Sequence, residues 1–323
     1  MSASSSAPRN RLAIAAAWIA LCLIWSSTWL AIKVGLADLP PISFCALRFV
    51  IAATVLFAIC AGRFPLPRRL TDYSLLALTG FLIFGVNYAL VFWGEQHVSS
   101  GLAAILQATI PSFGLVFAHF MLPAEQMRWE RVAGAMLALG GVALLCLKLL
   151  DFHGLMAFWG GVAIVVGAAA AAYANVLIKA RRTQFVPAVM AAWQMLFGLV
   201  PLLLLGLWTE GNPFHFHWTR IAVGCLLYLA LIGSVLAFLL FYWLLNRVAV
   251  TNLLTISLIT PPLAVAFGWL VAGETLSRWA LLGAVLVLSG VALILWKSSS
   301  PEAKASPAID ASLREAREAG EVR

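Results

Sequence analysis

The stretch CLIWSSTWLAIKVG, residues 22–35, sets Trp25, Ser26, Ser27, Thr28 and Trp29 inside an otherwise apolar run. On a helix turning 100° per residue, Trp25, Thr28 and Trp29 share one face, with Ser26 and Leu30 beside it. Such a face can line a polar-aromatic cavity. The other reading is packing, because Ser and Thr let membrane helices approach closely and Trp is common at the interface. Trp25 stands about 13 residues into the run, about 20 Å deep at 1.5 Å per residue, which favours the cavity.

Further polar residues sit in apolar surroundings: Asn87, Tyr88, Gln107, Thr109, Tyr173, Asn175, Gln194, Tyr242, Asn252, Thr255, Ser257 and Thr260. Each needs a partner in a dry bilayer. Asn252 and Thr255 fall on one stripe, and Gln107 and Ser257 occupy corresponding places beside Pro111 and Pro261. A proline frees a backbone carbonyl, for a substrate or for a hinge. Aromatic residues accompany them, Tyr88, Phe92 and Trp93 in one segment and Phe238, Phe241 and Tyr242 in another. A cavity lined by these suits a partly apolar ligand, such as a large neutral or aromatic amino acid. The substrate-contact candidates are therefore Trp25, Thr28, Trp29, Tyr88, Gln107, Pro111, Asn175, Tyr242, Asn252 and Ser257.

Arg48 is the basic residue that lies well inside an apolar segment. A charge there costs about 3 kcal/mol on insertion scales and faces protein or water. It can anchor a carboxylate or phosphate, or it can serve a structural or gating role on backbone carbonyls; the second is the expectation taken forward.

The elements that position these residues follow from composition. Of 323 residues, 63% are hydrophobic and 11% charged, against about 25% charged in soluble domains. Uncharged windows run over residues 12–32, 73–94, 96–124, 132–147, 152–178, 183–209, 221–246, 248–273 and 279–296, and residues 42–61 add a segment broken only by Arg48. A spanning helix needs about 17–25 such residues, and the windows lack the alternation of barrel strands. The expected fold is all-α and integral to the membrane, with ten transmembrane helices. The first run is too long for a signal-peptide core and is expected to remain as helix one.

With a cytoplasmic N-terminus, sixteen Lys and Arg residues fall on the inner side and four (Lys33, Lys148, Arg220, Arg278) on the outer. That bias places both ends in the cytoplasm, in a cell (inner) membrane. The net charge of +8 is this same bias; the basic residues form no continuous stripe, so no nucleic-acid partner is expected.

The chain also repeats itself. ATIPSFGLVFAHFMLPAEQMRWERVAGAMLALGGVALL aligns with LITPPLAVAFGWLVAGETLSRWALLGAVLVLSGVALIL, pairing Pro111 with Pro261, Glu125 with Glu274, Gly134 with Gly283 and Gly141 with Gly290. Weaker matches pair Lys33 with Lys179, Pro41 with Pro187 and Arg48 with Gln194. The expected domains are a cytoplasmic N-terminus (1–11), a first repeat (12–150), a second repeat (157–297) and a disordered cytoplasmic tail (298–323). Five helices per copy is odd, so the copies enter the membrane from opposite sides. Inverted halves with a midplane site are a transporter architecture.

The opening IWSSTWLAIKVGL…LPPISFCALRF, with the P…E…G…GGV close of the first half and its echo P…GE…G…SGV, resembles the EamA domain of the drug/metabolite transporter superfamily. That resemblance implies ten helices in two inverted five-helix repeats, and export of small metabolites, amino acids among them. It leaves the substrate and the choice between monomer and homodimer open.

No Asp or Glu falls mid-span: Glu95 stands at the end of the third segment, and Glu125 and Glu274 at loop ends. A proton relay through acids is thus not expected, although His97, His119 and Glu95 leave it open, and facilitated export down a gradient or exchange fits better. Glu125 and Glu274 are expected to steady the N-termini of helices five and ten through the helix dipole. A membrane enzyme acting on lipid or lipid-linked sugar would need clustered acids, histidines or metal ligands; His215 and His217 in NPFHFHW have only Glu210 near them. A non-transporting partner protein would need a domain that these short loops do not supply. The five cysteines show no C-x-x-C spacing, so neither metal nor cofactor is expected.

Overall fold

The computed structural model describes residues 6–61, 63–67, 69–122, 129–181, 185–245, 247, 256–275 and 277–296. Among these, every regular element is helical. Helix α1 is Ser6–Gly35 and α2 is Pro41–Cys60. Helix α3 runs Leu70–Glu95, with a π segment at Phe81–Asn87. Helix α4 covers Ser100–Met121, broken between Gln107 and Ile110. One long stretch, Trp129–Ala180, is divided at Gly154, whose φ of 83° is left-handed; its two parts are α5 and α6. Helix α7 is Pro187–Thr209. Helix α8 runs from Arg220–Leu227 through a second π segment, Tyr228–Leu236, into Ala237–Leu245. Helices α9, Ile256–Ala272, and α10, Arg278–Trp296, close the described chain.

Seven of these stretches are long and apolar enough to cross a membrane, and Ile259–Ala272 and Arg278–Ile294 are shorter apolar helices. Local sequence explains the ends. Pro41 and Pro187 open α2 and α7, where a missing N–H costs nothing. Ser99 and Thr219 cap α4 and α8 with side-chain oxygens, as N-cap hydroxyls do. Pro111 begins the second part of α4, so the break falls where a proline cannot donate back to Gln107. The matching Pro261 and Pro262 sit inside an unbroken α9.

The repeat is legible in how the halves touch. A Cβ added at Gly134 would lie 2.7 Å from the Gly290 carbonyl oxygen, and one at Gly141 2.8 Å from the Gly283 carbonyl oxygen. The repeat pairs Gly134 with Gly283 and Gly141 with Gly290, so the contacts run crosswise. Helices α5 and α10 therefore pack antiparallel, backbone on backbone. Small residues permit this, and it maximises van der Waals contact where lipid supplies no hydrophobic drive. The main core lies between the halves, with Phe44, Phe49, Phe92, Ile105, Met195 and Leu229 fully buried.

Candidate functional site

Helix α2 carries Arg48 into that core, where it is 2% exposed. Its Nε donates to Ser234 Oγ at 2.9 Å and its Nη2 to the Gly233 carbonyl at 3.5 Å. Both acceptors belong to the π segment of α8. A π turn shifts backbone bonding to i→i−5, and such turns gather at functional sites. Ser234 Oγ itself donates to the Leu229 carbonyl, five residues back, at 2.9 Å. The guanidinium lies over the rings of Tyr88, at 5.1 Å, and Phe49, at 5.4 Å, an arrangement worth about 2 kcal/mol when desolvated. Its Nη1 is buried and makes no hydrogen bond of good geometry among the described residues, though the Tyr88 hydroxyl stands close enough to interact with the guanidinium.

A second unsatisfied group lies in α4. Gln107, at the break in α4, donates from Nε2 to Asn87 Oδ1 at 2.6 Å, and Asn87 ends the π segment of α3 beside Tyr88. The Gln107 Oε1 is buried and accepts no hydrogen bond among the described residues. The region between the halves thus offers one cationic donor and one neutral acceptor. Leaving such groups unpaired costs about 1–3 kcal/mol each, a cost a ligand would remove. Aromatic rings surround them: Tyr88 meets Phe49, Phe84 and Phe92, and Trp25 meets Phe238 and Phe241 with centroids 6.2 and 5.6 Å apart.

The other candidates fall variously. Ser26 and Thr28 are buried, but their hydroxyls return to their own helix, Ser26 to the Cys22 carbonyl at 2.5 Å and Thr28 to the Trp25 carbonyl at 2.7 Å. Such back-bonding satisfies a hydroxyl without any ligand. Of the three hydroxyls, that of Ser27 bonds across to the other half, 2.6 Å from the Tyr228 hydroxyl. Trp29 packs against the main core. The polar face of α1 is thus largely a surface for packing on α8. Pro111 is half-buried and Asn175 exposed. Tyr242 and Ser257 lie in described helices, but their side chains, and the whole of Asn252 and Glu125, lie outside the described residues.

Glu274 departs from expectation. It does not cap α10; it caps α4 in the other half, accepting from Ser100 N at 3.0 Å, Ser100 Oγ at 2.8 Å and Gly101 N at 3.4 Å. The end of α9 and the start of α4 are neighbours, so free N–H groups of a different helix lie within its reach. Glu210, after α7, does the same for α2, accepting from Ile42 N at 2.9 Å and Ser43 N at 2.7 Å. Asp38, after α1, accepts from the Thr219 hydroxyl at 2.5 Å and lies 3.0 Å from His217 Nδ1. The Thr219 hydroxyl foremost, and then His217, hold the Asp38 carboxyl below the usual carboxylate range. All three links join the two halves on one face, that of the α1–α2, α3–α4, α7–α8 and α9–α10 connections. This distal face, opposite the start of α1, is latched shut.

These features define a class: a multi-pass membrane protein of two repeated helical halves with a polar, aromatic-lined contact between them. The EamA-like transporter family matches residues 12–147 and 158–296, and the chain belongs to that family. It is 31% identical over 278 residues to the "Uncharacterized transporter YoaV" of Bacillus subtilis, across 84% of this chain and 93% of the relative. It is likewise 31% identical over 277 residues to the "Probable terminal-alkyne amino-acid exporter" of Streptantibioticus cattleyicolor, across 84% and 89%. A solved crystal structure shares the fold, with a TM-score of 0.62, 20% identity, and coverage of 89% of this chain and 99% of the other.

Proposed function

We propose that this transporter is a secondary permease of the cell (inner) membrane that exports a small zwitterionic metabolite, an amino acid or related compound, by alternating access. Ten spans in two inverted halves, with both ends cytoplasmic, complete the reading. The observation that carries it is the pair of buried groups between the halves, Arg48 Nη1 and Gln107 Oε1, that have no hydrogen-bond partner among the described residues. A carboxylate suits the planar guanidinium, and an ammonium suits the amide oxygen. The rings of Tyr88, Trp25 and Phe238 suit an apolar side chain. The relative named as an amino-acid exporter points the same way. No step of this activity calls for bond-making chemistry, a metal or a cofactor.

Efflux from proteoliposomes loaded with a mixed pool of amino acids, nucleosides and sugars tests it. Amino acids should leave selectively through the wild-type protein. Folded protein that releases none of the pool, or only nucleosides or sugars, overturns the reading.

A further inference from the structure

Glu95 is the last residue of α3 and is fully buried. Neither carboxylate oxygen has a hydrogen-bond partner among the described residues. The substrate reading makes no use of it. Lys33 of α1 lies in electrostatic range of the acid but spends its hydrogen bonds elsewhere. Its Nζ donates to the backbone carbonyls of Glu95 at 2.7 Å, Val98 at 2.8 Å and Gln96 at 3.4 Å, so it caps the end of α3 and donates no hydrogen bond to the carboxylate. Glu274, from the α9–α10 connection, adds like charge, and Arg48 of α2 lies in electrostatic range. His97, two residues on, packs its ring on Trp93 with centroids 5.0 Å apart. The start of α4 offers the acid no donor, since the N–H groups of Ser100 and Gly101 are taken by Glu274.

A carboxylate anion placed there would lose its water without gaining a hydrogen-bond donor and would stand near a second carboxylate; the Lys33 and Arg48 charges in electrostatic range offset part of this. A neutral carboxyl avoids both penalties. We propose that Glu95 is a proton-binding site whose occupancy is tied to the latched distal face. When that face opens, water reaches the side chain and the proton leaves to the distal side. When it closes, one proton from the same side joins the carboxylate, and the neutral acid is buried. No other bond changes. Closure therefore takes up one proton and opening releases one, so the cycle answers to distal pH. This inference rests on the transporter reading for its consequence, and on the burial of Glu95 alone for the site.

Two measurements on the full-length protein in lipid test it. Infrared spectroscopy at neutral pH should show a protonated-carboxyl band in the wild type that Glu95→Gln removes. Transport of an identified substrate, with equal pH on both sides, should fall up to about tenfold per pH unit once pH exceeds the pKa of the group. Glu95→Gln should flatten that profile, and Glu95→Asp should keep a pH dependence. A wild-type spectrum without the band, or a Glu95→Gln profile that retains the wild-type slope, overturns the proposal. Where no substrate is transported the band still decides the site, so failure of the transporter reading and failure of this one are distinguishable.

Discussion

Two crossings between the halves occupy corresponding places, and they are not alike. At one, Arg48 of α2 meets the π segment of α8. At the other, Gln194 of α7, its counterpart in the repeat, meets α3 just before the π segment there, donating from Nε2 to Thr79 Oγ1 at 2.8 Å. The Thr79 hydroxyl in turn donates to the Leu75 carbonyl at 2.8 Å. The Gln194 side chain is buried and its amide nitrogen is bonded across the seam, whereas the Arg48 crossing keeps a buried Nη1 with no hydrogen-bond partner among the described residues. The same duplicated scaffold thus supports a closed structural contact and an open chemical one. The difference rests on one long charged side chain in place of a short neutral one.

The strongest way to break this comparison is Arg48→Gln, which makes the first crossing resemble the second. Efflux per molecule in the membrane should fall about ten- to a hundredfold, the loss expected for a charge-assisted hydrogen bond, with Arg48→Lys recovering only part of it. Unchanged efflux would assign Arg48 to structure alone.

The glycines at the two crossings sharpen the contrast. A methyl on Gly80 would come within 2.7 Å of Gln194 Cα, which is backbone, whereas on Gly233 it would come within 2.7 Å of the Thr28 side-chain methyl. Gly80→Ala should lower stability by about 1–3 kcal/mol, read as a fall in melting temperature, and Gly233→Ala by less. The reverse order would show that the α1–α8 contact, and not the α3–α7 contact, is the rigid one.

The smallest effect belongs to Gln194→Met. Thr79 keeps its bond to Leu75, so the cost should stay below about 1 kcal/mol, with efflux per molecule unchanged. A large loss of efflux would give the second crossing a chemical role as well.

Much of this was open to sequence reading, for definite physical reasons. Long uncharged windows report spans because the hydrocarbon has a fixed thickness, and the Gly134, Gly141, Gly283 and Gly290 alignment marked the seam because close backbone approach admits only small residues. The correspondence of Arg48 with Gln194 was also visible. What stayed hidden depends on tertiary neighbours. The hydroxyls of Ser26 and Thr28 look like cavity lining until their helix carbonyls are seen to absorb them. Glu274 has a local partner by rule, its own helix, and a distant one in fact. Glu95 reads only as an acid at the end of a span, because its burial depends on the folded connection into α4. The π segments leave no periodic trace beyond a Gly and a polar residue in each, Gly85 with Asn87 and Gly233 with Ser234.

The glycine seam between α5 and α10 has a mechanical consequence. Main chain pressed against main chain resists being pulled apart, and the side chains of Leu145 and Ile294 flank the contact. On the alternating-access reading proposed above, that seam is the axle, lever arms such as α3, α4, α8 and α9 sweep around it, and the carboxylate latches at their far ends travel the greatest distance.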